Sequence, residues 1–170
     1  LEYSPYHNIF TRISGADNIY KGMSSFTVEM TELRNILQRS DKFSLVLGDE
    51  VCNGTETVSG LSIVASAIND LIKKSCSFIF ATHLHELIDI ELIKNYINQD
   101  ILKIYHLHTT SVDNRIIYDR ILKKGKGSSI YGIEVCKALD MPIDFMKNAE
   151  KIRKELQGHD DFIISLNKSH

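Results

Sequence analysis

The sequence lacks several patterns that would assign the chain to a familiar class of protein. Its 170 residues contain no apolar run that approaches the roughly 18 residues of a membrane span. No signal peptide is recognisable, and the cysteines, Cys52, Cys76 and Cys136, form no C-x-x-C pair. These absences argue against a membrane protein, a disulfide-bonded secreted protein and a cysteine-based zinc site. We therefore expect an intracellular protein of a reducing compartment, with no membrane partner.

A strong excess of charge is also missing. The net charge is −2 at pH 7, so no global basic field indicates direct binding of nucleic acid. The apolar content of 43% and the charged content of 25% are typical of an ordinary globular protein. A chain of this length is expected to form one domain that buries a substantial core.

The most informative stretch is an apolar run that ends at two adjacent carboxylates. Leu45 to Gly48 precede Asp49 and Glu50, and a polar loop from Asn53 to Thr57 follows. Buried parallel strands read as continuous apolar runs, and their carboxyl ends are where open α/β sheets bind ligands. There, one carboxylate can bind Mg²⁺ and the next can orient an attacking water. Alone, the run is more typical of a strand that merely ends at the wet edge of a sheet.

The next segments place further polar groups at the same edge. A helical pattern from about Val58 to Lys74 leads to an apolar strand, 77–82, that ends at His83. A strand, a helix and a second strand form a parallel crossover unit, which brings both carboxyl ends together. The histidine and the two carboxylates are therefore predicted to be neighbours. A zinc site is disfavoured, because Asp89 stands where the H-E-x-x-H pattern would need its second histidine.

The other periodicities complete an α/β chain with a mixed sheet flanked by helices and a C-terminal helical hairpin. The predicted elements are a strand at 9–13, a helix to about Arg39, short helices within 86–98 and a β-hairpin of 102–108 and 115–122. Two further helices are predicted at 130–139 and 143–156, and Gly158 is expected to end the second of them. The first of these helices starts at Gly22 to Ser25, which could contact a phosphate, although a routine amphipathic helix is the simpler interpretation.

No segment supplies a phosphate-binding P-loop. The basic stretch from Lys123 to Ser129 departs from G-x-x-x-x-G-K-[ST] at Arg120 and at Gly127, so we interpret it as a surface loop.

The ordered motifs resemble one family. I-F-T-R-I, G-x-S-S-F-x-V-E-M-T-E, L-V-L-x-D-E, x-G-T-x-T-x-x-G, F-A-T-H-x-x-E-L and Y-G-I-E-V follow one another over residues 5–157. This resembles the C-terminal ATPase domain of the MutS DNA mismatch-recognition family, which belongs with the ABC-type ATPases. The resemblance implies a partial ABC-type P-loop ATPase fold, ATP and Mg²⁺ as cofactors, and a site formed between two protomers.

The resemblance also implies roles for individual residues. Asp49 and Glu50 match the Walker B pair, in which Asp49 binds Mg²⁺ through water and Glu50 positions the hydrolytic water. His83 matches the switch histidine that reads the γ-phosphate.

Other matched residues are implied to face a second protomer. Asn53 and Thr55 lie in the D-loop segment, 53–57. Ser24 and Ser25 match the signature segment that contacts the ATP held by the partner.

The D-loop segment departs from the common pattern. Typical bacterial members read I-G-R-G-T-S-T where this chain reads V-C-N-G-T-E-T, so Asn53 replaces an arginine and Glu56 a serine. The variant resembles the branch of giant viruses and coral mitochondria, in which a nuclease module can follow the ATPase. A viral or mitochondrial setting is implied rather than standard bacterial or nuclear repair.

The expected organisation is the second half of an ATPase domain at 1–129, dimerisation helices at 130–157, and a tail or linker at 158–170. The P-loop is expected upstream in a longer parent, without which this chain should bind ATP weakly and hydrolyse it negligibly. The implied partners are a second MutS-like protomer, as a homodimer, and mismatched or branched DNA through N-terminal domains that this segment lacks.

Two alternatives stay open. One is a non-catalytic dimerisation module built on the helical hairpin. The other is an ABC-type ATPase of transport or chromosome maintenance, although those usually carry an L-S-G-G-Q-like signature that residues 22–26 do not match.

Overall fold

The computed structural model of the chain describes residues 5–13, 25–112, 115–127 and 132–167. The chain divides into two compact units, Leu1–Leu102 and Lys103–His170, each with its own sheet. Within the described ranges, no helix combines the length and the apolarity that crossing a membrane requires.

The first unit is built on three parallel strands in the order β1-β2-β3, with helices in the connections. Its elements are β1 (Asn8–Ile13), α1 (Ser25–Arg39), β2 (Ser44–Asp49), α2 (Thr57–Lys73), β3 (Ser77–Ala81), a 3₁₀ helix (His85–Asp89) and α3 (Glu91–Asn98). The predicted crossover of two parallel strands around a helix is therefore present, with each boundary within one or two residues of its expected place.

The central strand β2 is covered by helices on one face. Its buried Val46 packs with Ile36 of α1 and Leu71 of α2. Burying one such aliphatic side chain contributes roughly 1.5–3 kcal/mol. In α2, Val64, Ile68 and Leu71 share a buried stripe at helical spacing, so the amphipathic pattern directs this helix onto the sheet.

The opposite face of the sheet is open in the described part of the chain. The side chains of Ile9, Ile13 and Ile79 are 64%, 62% and 66% exposed. The strand register places them on the same side as Leu45 and Leu47, which are half-buried. An exposed apolar face of this kind marks a surface that other protein can cover.

Helix α2 begins with an unusual cap. Glu56 precedes the helix, and its carboxylate accepts the backbone N–H groups of Val58 at 2.9 Å and Ser59 at 2.8 Å. Hydrogen bonds from Ser59 and then from Val58 lower the pKa of Glu56. A glutamate thus performs the capping role usually taken by Ser, Thr, Asp or Asn.

The second unit contains an antiparallel hairpin and two helices. Its elements are β4 (Tyr105–Val112), β5 (Arg115–Lys124), α4 (Gly132–Ala138) and α5 (Ile143–Asn167). In the hairpin, His108 Nδ1 lies 2.5 Å from Asp119 Oδ2, which ties the two strands across the ladder. Lys137 of α4 and Glu150 of α5 form an ion pair at 2.6 Å.

The fold class predicted from the sequence is confirmed: parallel and antiparallel strands are combined with flanking helices and a C-terminal helix pair. The antiparallel strands form their own two-stranded sheet.

The predicted helix end at Gly158 is wrong, because α5 continues to Asn167. A single glycine costs a helix only about 1 kcal/mol, which neighbouring turns can offset. The functional boundaries expected after residues 129 and 157 stay predictions.

Gly48→Ala should lower the free energy of unfolding by about 1–3 kcal/mol, through overpacking. A Cβ at this position would lie 2.8 Å from Phe80 Cδ1 and 2.9 Å from Val51 Cγ2. Urea denaturation followed by circular dichroism measures the loss. Gly54→Ala is the control, since its Cβ would meet its nearest neighbour, Phe26 Cβ, at an ordinary 3.7 Å. Equal losses in the two variants would contradict the packing account.

Glu56→Gln should remove part of the acid sensitivity of the fold. Because hydrogen bonds depress the folded-state pKa of Glu56, its stabilisation is present above the unfolded value and is lost as pH falls through the folded value. Thermal unfolding between pH 7 and pH 3 should therefore show a shallower decline in Tm for the variant. A decline parallel to that of the wild type would argue against the cap.

Candidate functional site

The carboxyl edge of the parallel sheet brings Glu50 and His83 together. The backbone N–H of Glu50 donates to the carbonyl of Ala81 at 2.9 Å, so the residue after β2 is still held to β3. His83 Nδ1 then lies 3.7 Å from Glu50 Oε1, with the two side chains 56% and 46% exposed. The juxtaposition that the crossover predicts is therefore present, at a place that water and ligands can reach.

Asn53 contacts the same carboxylate from the loop. Its side-chain Nδ2 donates to Glu50 Oε2 at 3.0 Å. One oxygen of Glu50 thus accepts an amide N–H, and the other faces an imidazole. A carboxylate oriented in this way, while half exposed, is suited to accept a hydrogen bond from a water molecule and to polarise it.

The backbone around Glu50 is strained. Glu50 has φ 49° and Cys52 has φ 68°, both in the left-handed region. This conformation costs a residue with a side chain roughly 1–2 kcal/mol. Such strained residues cluster at functional sites, where the surrounding structure holds them in place.

A buried carboxylate of α1 holds the strained loop. Glu29 is 5% exposed, and its Oε1 accepts the backbone N–H of Cys52 at 2.8 Å. Arg12 of β1 balances its charge, with Nη2 3.6 Å from the same oxygen. The amino-acid sequence does not predict this role. It does contain a signal for the burial of Glu29, which lies at helical spacing with the buried Leu33 and Ile36.

The thiol of Cys52 is not a nucleophile in this setting. It is 2% exposed. Burial, followed by the charge of Glu29, raises the pKa of Cys52 to about 11, although Arg12 acts in the opposite direction. The thiol therefore stays protonated near neutral pH and serves as a small packed side chain.

Asp49 is available for a ligand. It ends β2, and its side chain is exposed and makes no hydrogen bond or ion pair with the described part of the chain. Mg²⁺ is commonly held by one or two carboxylates together with waters and substrate phosphates, so a single free carboxylate fits that ion. Within the described ranges, no cluster of three or more His, Cys, Asp or Glu side chains could hold a metal by itself.

The residues predicted to face a second protomer lie around the start of α1 and the loop. Ser25 is the first residue of α1 and is exposed, and Thr55 is half-buried. The loop packs on this helix start, since a Cβ at Gly54 would lie 3.7 Å from Phe26 Cβ. Ser24 lies outside the described residues. In the described part, no hydrogen bond or ion pair joins Asp49, Ser25 or Thr55 to the group of Glu50, Asn53 and His83.

Cys52→Gly should be more stable than Cys52→Ala by about 1 kcal/mol. Both variants remove the sulfur, but only glycine adopts the left-handed φ of 68° without strain. Chemical denaturation of the two variants measures the difference directly. Greater stability of the alanine variant would show that the loop does not hold Cys52 in this conformation.

Comparison with known proteins identifies the family. The family described as MutS domain V matches residues 1–157. A putative DNA mismatch repair protein MutS homolog of Acanthamoeba polyphaga mimivirus is 46% identical over 161 residues, which cover 92% of this chain and 14% of that protein.

Cellular relatives are similar over nearly the same region. The mitochondrial DNA mismatch repair protein MutS homolog of Sarcophyton glaucum is 42% identical, over 88% of this chain and 15% of that protein. The DNA mismatch repair protein MutS of Clostridium kluyveri is 40% identical, over 88% of this chain and 17% of that protein. The chain therefore spans less than a fifth of the length of these curated relatives. On these matches, the chain belongs to the MutS family, whose domain V it represents.

Proposed function

We propose that this chain carries the hydrolytic half of a MutS-type ATPase site and that, within a longer protein, it converts ATP and water to ADP and phosphate. The observation that carries the proposal is the group at the sheet edge, in which Glu50 lies 3.7 Å from His83 and accepts a 3.0 Å hydrogen bond from Asn53. In a chain of this family, that group is best explained as machinery for an attacking water.

Glu50 is proposed to orient the water. Its carboxylate accepts a hydrogen bond from the water, which aligns an oxygen lone pair with the terminal phosphorus of ATP. His83 is proposed to contact a terminal phosphate oxygen. Because His83 also lies beside Glu50, the bound phosphate would then influence where the Glu50 carboxylate is placed. Asn53 limits the rotation of Glu50, which reduces the entropy lost on reaching the reactive arrangement.

Asp49 is proposed to hold Mg²⁺ through water. The ion would supply positive charge that neutralises the phosphate oxygens. The free carboxylate of Asp49, described above, supports this assignment.

A second copy of the chain is proposed to complete the site. Ser25 is the first residue of a helix of 15 residues, where backbone N–H groups and the helix dipole favour a phosphate. Ser24, which precedes it in the sequence, is proposed to contact the same phosphate. Asn53 and Thr55 lie in the loop that packs beside this helix start. In the proposed homodimer, this surface faces the ATP bound by the partner.

The open face of the sheet supports the proposal that the P-loop half of the domain packs against this chain. Ile9, Ile13 and Ile79 lie on that face and are each more than 60% exposed. A P-loop half would bury them and would bring the main phosphate-binding groups beside Asp49 and Glu50. The proposed role in DNA mismatch repair, on mismatched or branched DNA, then belongs to the longer protein.

The setting of the longer protein is a further part of the proposal. The free thiols of Cys52, Cys76 and Cys136 suit a reducing compartment. The mimiviral and coral mitochondrial relatives support a viral or mitochondrial setting.

A non-catalytic dimerisation module is the second candidate function. Helix α5 exposes Phe145, Ile152 and Leu156, at 48%, 54% and 62%, and their helical spacing places them on one face. A second copy of the helix pair could cover this stripe. This role is compatible with the ATPase and would stand alone if the longer protein hydrolysed no ATP.

Glu50→Gln in a protein that combines this chain with its P-loop half should lower kcat for ATP hydrolysis by about 10²–10³-fold. Glutamine keeps the size of the side chain but polarises water poorly, so ATP binding should persist. Phosphate release measures turnover, and equilibrium binding of ATP with Mg²⁺ measures affinity. Glu91→Gln, at the exposed first position of α3 and outside the family motifs, is the matched control and should behave as wild type.

Unchanged turnover in Glu50→Gln would contradict the proposed role of this residue. The same measurement on the chain of 170 residues alone should give negligible ATP turnover. A clear turnover by this chain that depends on Glu50 would show that the P-loop half is not required.

A further inference from the structure

A buried carboxylate joins the first helix of the sheet unit to the loop that carries Glu50. Glu29 Oε1 accepts the Cys52 N–H at 2.8 Å, which links positions 23 residues apart in the chain. Glu29 is 5% exposed and lies in the second turn of α1. This is a contact between a charged side chain and a backbone donor in a site that excludes water, which makes it stronger than a neutral hydrogen bond.

The cation that balances Glu29 comes from the neighbouring strand. Arg12 Nη2 lies 3.6 Å from Glu29 Oε1, and Arg12 Nη1 donates to the carbonyl of Ile13 at 2.7 Å. Glu32 also pairs with this arginine at 3.3 Å, but its side chain is 51% exposed. A buried ion pair is a poor device for gaining stability, because well-packed apolar residues often replace it without loss. The pair of Glu29 and Arg12 is therefore better explained by its effect on the geometry of the loop than by a gain in stability.

On the loop side, the hydrogen bond falls in the middle of the strained segment. Glu50 and Cys52 have φ of 49° and 68°, and Asn53 donates to the Glu50 carboxylate. If the Cys52 amide lost its acceptor, the left-handed conformation would lose a compensating interaction. The backbone of Glu50 and Asn53 would then no longer be held in one conformation, and their side chains would lose their fixed positions.

On the helix side, Glu29 lies one turn after the exposed start of α1. Ser25 precedes it by four residues and so lies on the same side of the helix. Phe26, in the same first turn, packs beside Gly54 of the loop. A displacement of the helix start therefore acts on the loop at two points, the Phe26 contact and the Glu29 hydrogen bond.

We propose that Glu29 is a positioning residue that couples the start of α1 to Glu50 through the Cys52 amide. The inference rests on the proposed function, in which Ser25 meets the ATP of a partner and Glu50 acts on water. A phosphate bound at the helix start of one protomer would thereby set the position of the hydrolytic carboxylate in the same protomer. Glu29 itself touches neither nucleotide nor water.

The test compares three variants in the protein that combines this chain with its P-loop half. Glu29→Met has a similar volume but no acceptor, Glu29→Gln restores an acceptor at the same distance, and Glu32→Gln removes only the exposed partner of Arg12. We expect kcat to fall about 10–100-fold in Glu29→Met, with KM for ATP changed less than about threefold, because a misplaced group chiefly affects the reactive arrangement. Glu29→Gln should recover most of kcat, and Glu32→Gln should match the wild type.

Amide hydrogen exchange supplies a readout that does not depend on activity. The exchange rate of the Cys52 N–H should rise at least about tenfold in Glu29→Met and much less in Glu29→Gln. The Val46 N–H, in the centre of β2, should exchange at the wild-type rate in both. Faster exchange at Val46 as well as Cys52 would indicate general loss of structure and would overturn a specific positioning role.

The remaining outcomes separate this inference from the proposed function. A wild-type protein that hydrolyses ATP, together with a Glu29→Met variant of equal kcat, would overturn the coupling and leave the proposed function standing. A wild-type protein without Glu50-dependent turnover would overturn the proposed function and the coupling with it. Equal losses of kcat in the Met and Gln variants would show that the charge of Glu29, rather than its hydrogen bond, is what matters, and would overturn the route through Cys52.

Discussion

The parallel pairing of β2 with β3 is the constraint on which the candidate site depends. Asp49 stands opposite Ala81, and the next backbone N–H, that of Glu50, still donates to the Ala81 carbonyl. A slip of one residue would turn Val46 away from the helices and move Glu50 away from His83, since successive side chains of a strand face opposite sides. The hydrophobic core thus fixes the register, and the register fixes the distance between the two polar side chains.

Beyond the strand, the core still buries Val51 and Cys52, and polar contacts hold the backbone between and around them. The loop after β2 adopts left-handed conformations at Glu50 and Cys52, which the chain would avoid if it were free. Glu29 accepts the Cys52 N–H, Arg12 balances the charge of Glu29, and Asn53 holds the side chain of Glu50. The same loop leads directly into α2, where Glu56 supplies the cap. The site is therefore a strained loop between β2 and α2, two elements that pack in the hydrophobic core.

Local patterns allowed much of this arrangement to be predicted. The apolar runs of β2 and β3 and the periodicity of α2 indicate a parallel crossover, and the crossover places Glu50 beside His83. The contact between Glu29 and Cys52 could not be predicted in the same way, because it joins distant segments and depends on a loop conformation that no local pattern encodes. The continuation of α5 through Gly158 was not predicted, because the low helix propensity of one glycine costs less than the helical turns on either side of it contribute.

The central claim is that the sheet edge of Asp49, Glu50 and His83 is half of a nucleotide site that a P-loop half and a second protomer complete. A crystal structure of the longer protein with Mg²⁺ and a non-hydrolysable ATP analogue tests it most directly. The account predicts Asp49 at the metal, Glu50 and His83 facing the terminal phosphate, and Ser25 of the other protomer on the opposite side of that phosphate. A nucleotide bound away from Glu50, or a complete nucleotide site within a single protomer, would contradict it.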